Sequence, residues 1–131
     1  MDASQALADL TEISSQIEAA VLFDVAGAVQ GSTLTDADAS AELVRTAGEL
    51  LEAAAAFRSG ETEVTQLEAS TQDGSVFVVR DGGRGVVATT APEPTVGLVF
   101  YDLKSCLRGA AEEPKPKRRR RTTKPPEETA S

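Results

Sequence analysis

The chain has 131 residues, 40% of them hydrophobic, with one Cys, no His, no Asn and no Trp, and a formal net charge of −8. That length suits one domain with a real core, and the composition excludes an internal disulfide and any site that needs an imidazole as base or ligand. Residues 1–109 hold 17 of the 21 acidic and 6 of the 13 basic side chains, so the body carries −11 and residues 110–131 carry +3; an acidic body does not approach nucleic acid or anionic lipid by itself.

Residues 3–18 place Leu7, Leu10, Ile13 and Ile17 on one helical face, with Asp9, Glu12 and Glu18 off it. Asp2 or Ser4 can cap the start. Residues 19–25 are apolar on both alternating faces, which predicts a strand covered on both sides. A turn at Ala26 and Gly27 leads into a short second strand near residues 28–32. Thr35 or Asp36 caps a helix that runs to about Phe57, with Leu43, Val44, Ala47, Leu50, Leu51 and Ala54 as its apolar stripe. Gly48, Ala53, Ala55 and Ala56 around that stripe either admit a close neighbour or are plain helix formers. Ser59 and Gly60 end the helix.

Residues 62–71 predict an edge strand, with Val64, Gln66, Glu68 and Ser70 on one face and Leu67 and Ala69 on the other. Turns at residues 72–74 and 81–83 then separate two interior strands, residues 75–80 and 85–90. In the first of these, Val76 and Val78 face one way and Phe77 and Val79 the other. Pro92 and Pro94 break the ladder. Residues 96–108 close the body as a helix bearing Val96, Val99, Phe100, Leu103 and Leu107, and Gly109 ends it. The expected class is α+β, a five-stranded antiparallel sheet covered by helices on both faces, in the order α-β-β-α-β-β-β-α. Residues 1–109 form that domain. Proline, charge and small polar residues predict a disordered basic tail over residues 110–131.

Chemistry is sparse. Residues 81–85 are glycine-rich, but they join two strands and lack the lysine of a phosphate loop, so they read as a hairpin turn. Cys106 has no His to activate it and reads as a packing residue. Tyr101 and Lys104 fall on the outer face of the last helix. The carboxylates do not converge on one cleft, and Arg45, Arg58, Arg80 and Arg84 have ordinary structural readings. No catalytic residue, cofactor or metal is expected, and the chain is read as no enzyme. The acidic start lacks a secretory pattern and no apolar run approaches the roughly 18 residues of a membrane span, so a cytoplasmic protein is expected.

Lys115, Lys117, Arg118, Arg119, Arg120 and Arg121 place six positive charges in seven residues, with Lys124 just beyond. Such a run binds nucleic-acid phosphates without base specificity, there being no aromatic to stack, adheres weakly to an anionic membrane, or stays in water against its own acidic body.

The order of elements resembles the Roadblock/LC7 family in its small bacterial form, over about residues 5–108. The likeness rests on residues 10–30, where a helix end runs into an apolar strand and the Asp24-to-Gly27 turn, on Asp73-Gly74-Ser75-Val76-Phe77-Val78-Val79, and on Thr95-Val96-Gly97-Leu98-Val99 opening the last helix. Ala26 stands where the commoner family turn has a second polar residue. The resemblance implies a profilin-like α-β-α sandwich. It further implies a homodimer joined through the central helix and the neighbouring edge strand, here Leu43, Ala47, Leu50, Leu51, Ala54, Val64, Gln66 and Glu68. As a function it implies a non-catalytic regulator or scaffold that binds a small Ras-like GTPase or related signalling protein. The alternative is a nucleic-acid-associated protein whose basic tail holds phosphates while the domain dimerises.

Overall fold

The computed structural model describes residues 2–57 and 65–111. Asp2 opens the first helix, α1 (Ala3–Ile13), by accepting the Gln5 amide at 2.8 Å. Ala6, Leu7 and Leu10 turn inward. At Ser14 the backbone becomes extended, and the Ser14 N–H closes on the Leu10 carbonyl. The helix expected over residues 3–18 is therefore shorter. Ile17 belongs to the first strand, β1 (Ile17–Asp24), and Ile13 is 66% exposed. Helical spacing carries through this break by coincidence, whereas two successive serines favour leaving the helix.

Asp24 builds the turn after β1: its carboxylate accepts the Ala26 and Ala28 amides at 3.0 and 2.9 Å. Gly27 takes φ 85°, a conformation glycine adopts without strain. The return strand is β2 (Val29–Ser32). Asp36 caps the long helix α2 (Ala37–Phe57) by accepting the Asp38 amide. Beyond residues 58–64 come β3 (Gln66–Thr71), β4 (Gly74–Asp81) and β5 (Arg84–Thr90), joined by tight turns, the second with Gly82 at φ 63°. The last helix, α3 (Val96–Ala111), continues past Gly109, because Ala110 is drawn into the core at 2% exposure. Packing here outweighs the small helix penalty of glycine. Val96, expected on the inward stripe, is 38% exposed.

The five strands form one antiparallel sheet in the order β2-β1-β5-β4-β3. Its alternation sorts the side chains as expected. Ala20, Leu22, Phe77, Val79, Val86 and Ala88 face α1 and α3, while Val21, Phe23, Val78 and Val87 face α2. Phe77 is fully buried and meets Phe100 of α3 edge to face, with ring centres 5.0 Å apart. Burial of one such side chain contributes about 1.5–3 kcal/mol, which is why both faces need helical cover.

Candidate interaction surface

The surface around α2 and β3 is built from opposite ends of one physical problem: a helix that covers only part of a sheet, and a strand with only one neighbour. Along α2 the inward line is Ser40, Val44, Ala47 and Leu51. The Ser32 and Ser40 hydroxyls, 2.7 Å apart, pin the start of the helix to β2. Leu43, Leu50 and Ala54 lie half-buried along one flank of this line. The opposite flank presents Ala41, Gly48 and Ala55, and these small residues border a cleft of about 590 Å³ against the turns that follow β1 and β4. Asp24, Arg45, Glu49 and Arg80 give the cleft walls of mixed charge. Arg45 also pairs with Glu42 at 2.6 Å on the exposed surface, where such a pair contributes little.

At the other end of the sheet, β3 pairs, among the described residues, with β4 alone. The Arg80 amide donates to the Thr65 carbonyl at 2.8 Å. In an antiparallel ladder alternate residues aim both backbone groups at the same neighbour. Thr65, Leu67, Ala69 and Thr71 therefore point theirs at β4, and Gln66, Glu68 and Ser70 point theirs outward. Among the described residues nothing pairs with that outer edge. The Glu68 carboxylate accepts the Ser70 hydroxyl at 2.6 Å, which holds it along its own strand.

Among the described residues no group of His, Cys, Asp and Glu could hold a metal ion. Cys106 is buried beside Ala6, whose carbonyl its thiol meets at 3.6 Å. Burial, helped by the charge of Asp9, pushes that thiol up from its ordinary 9.0 to about 11. It is a packing group and no nucleophile. Among the described residues no helix is long and apolar enough to cross a membrane.

No protein-family model and no curated protein matches the sequence. Solved structures do match. A Roadblock/LC7 domain from Streptomyces avermitilis superposes with a TM-score of 0.74, at 18% identity over 85% of this chain and 96% of that one. The fold is that of the Roadblock/LC7 domain. The gliding protein MglB from Thermus thermophilus also superposes, with a TM-score of 0.66, 17% identity, 85% of this chain and 90% of its own. A more distant likeness, with a TM-score of 0.57 and 14% identity over 83% of this chain and 96% of that one, is to a chain of the LokiProfilin2 complex with rabbit actin.

On this Roadblock/LC7 fold the residues expected to meet a second subunit fall into three groups. Ala47 and Leu51 are covered by the chain's own sheet, at 0% and 6% exposure. Leu43, Leu50 and Ala54 form the half-buried flank of α2, and Gln66 and Glu68 are exposed on β3 with their backbone turned outward. Val64 lies outside the described residues, as do Lys115, Lys117, Arg118, Arg119, Arg120, Arg121 and Lys124. Sequence reasoning gave Arg84 an ordinary structural reading without its partner, and missed Asp102. Arg84 donates from the start of β5 to the Ala110 carbonyl and so fastens the end of α3. Asp102 is buried at 6% exposure between α1 and α3. Only the first carried a signal, an arginine directly after a Gly-Gly turn.

Proposed function

We propose that this chain is a non-catalytic regulator or scaffold that works as a homodimer and binds a small Ras-like GTPase or a related signalling protein. The observation that carries the reading is the edge of β3, where Gln66, Glu68 and Ser70 turn outward backbone groups that pair with nothing among the described residues. The half-buried flank of α2, Leu43, Leu50 and Ala54, lies on the helix that covers the same sheet. An open edge is a template for another strand, and a second copy across a two-fold axis is the simplest partner for it. The likeness of fold to the bacterial gliding protein MglB supports a regulatory role. In this reading the two sheets join, and the composite face positions groups that the partner itself supplies.

The test uses Glu68→Pro. Proline removes the outward N–H of Glu68 and leaves the β4 ladder intact, since an edge strand tolerates it on the open side. The expected result is a wild-type dimer and a folded Glu68→Pro monomer in sedimentation at low micromolar concentration, with a small GTPase recovered from native lysate by the wild type and not by the variant. A wild-type monomer, or equal recovery by both chains, overturns the reading.

A further inference from the structure

The few cations of the folded body are not spread evenly. The described residues hold five basic side chains, Arg45, Arg80, Arg84, Lys104 and Arg108. Three of them, Arg80, Lys104 and Arg108, line one cleft of about 220 Å³ between α3 and the start of β3. Asp81 is the one carboxylate in that lining, and Thr65 and Gln66 belong to it as well. Lys104 and Arg108 stand one turn apart on α3, both exposed, and among the described residues neither has an ion pair. In a body of 17 acidic and 6 basic side chains, a cleft of this sign fits a carboxylate. Glu68 of the same β3 does not line it. It stands two residues past Gln66, about 7 Å further along the strand, and accepts the Ser70 hydroxyl.

A second copy brings a carboxylate to the cleft. Gln66, Glu68 and Ser70 aim their backbone groups outward, so a second β3 added antiparallel across a two-fold axis pairs these residues with one another. With the axis at Glu68 the two carboxylates stand directly opposite, which is destabilising. With the axis at Leu67, Gln66 stands opposite Glu68 of the partner subunit, and Leu67 opposite its own copy. Leu67 lies on the α2 side of the sheet, packed on the same core as Leu43, so apolar groups meet there. The side chains of Gln66 and Glu68 lie on the α3 side, next to Val79 and Phe77 of β4. An axis normal to the sheet keeps the α3 sides of both copies together. Glu68 of the partner subunit then lies one strand spacing, about 5 Å, beyond Gln66, at the mouth of the basic cleft.

We propose that ion pairs close the dimer at both ends of its seam: the carboxylate of Glu68 of the partner subunit sits between Lys104 and Arg108, with the two-fold axis at Leu67. This rests on the homodimer proposed above and supplies its register.

Two measurements test it. The first compares dimer dissociation constants, by sedimentation at about 0.15 M salt where distant charges are screened, for the wild type, E68K, K104E/R108E and the combined E68K/K104E/R108E chain. All three positions are exposed. Each partial reversal is expected to weaken the dimer about 2- to 30-fold, the loss of two exposed pairs, and the combined chain to regain most of it. Losses that add in the combined chain, or K104E/R108E dimerising like the wild type, overturn the proposal and leave the dimer standing. A wild type that stays monomeric overturns both. The second measurement reads the register. Leu67→Cys is expected to cross-link to its own copy under mild oxidation, since opposite Cα atoms about 4.5 Å apart lie within disulfide reach, and Glu68→Cys is not. The native Cys106 is buried. Cross-linking of Glu68→Cys, or none of Leu67→Cys, overturns the proposal.

Discussion

Cys106 shows how far a single side chain can be predicted. Its thiol is raised to about 11 by burial first and by Asp9 second. The unfolded chain ionises near 9.0 while the folded chain keeps its proton, so the stability this represents is whole below pH 9 and is lost as pH rises toward 11. The expected slope is at most about 1.4 kcal/mol per pH unit. Urea midpoints measured from pH 8 to 11 should fall more steeply for the wild type than for Cys106→Ala; parallel curves would show a thiol that ionises alike in both states. The packing role of Cys106 was legible, because a cysteine without any histidine beside an apolar helical stripe has little else to do. Asp102 was not. In the sequence it is one carboxylate among many, and only the packing of α1 against α3 buries the residue.

Among the elements, the sheet supplies the sharpest contrast. Phe23 of β1 stands directly across from Gly85 of β5, and the Phe23 ring occupies the space that a side chain at position 85 would need. Gly85→Ala is expected to lower stability by about 1–3 kcal/mol through overpacking. Gly48→Ala, on an exposed flank of α2 with nothing in reach, should raise it by up to about 1 kcal/mol. Denaturant midpoints with unchanged slopes would read both; equal effects would mean that the ring simply moves aside. The strands and their inward and outward residues were legible because alternation is local. The end of α1 was not, since Ile13 and Ile17 keep helical spacing across a break made by Ser14 and Ser15. The length of α3 also escaped, because glycine at position 109 reads as a stop until Ala110 is seen to be buried.

At the scale of the molecule, the two faces are divided. One carries α2 and the cleft beside it, and the other carries α1 and α3. The helices and their order could be read from the chain, but the strand order could not, because β1 pairs with β5 across the whole span of α2, β3 and β4. That seam has a kinetic side. Val21 and Val87 are distant in sequence, and bringing such strands together costs loop entropy before any contact repays it. Val87→Ala is expected to slow refolding in stopped-flow measurements, while Leu67→Ala at the far edge mainly speeds unfolding. An unchanged refolding rate for Val87→Ala would leave the β1–β5 seam out of the nucleus. The core beneath α1 is completed by Ala110, so during synthesis the early helix and hairpin wait, without a sheet to join, until nearly the whole folded body has left the ribosome.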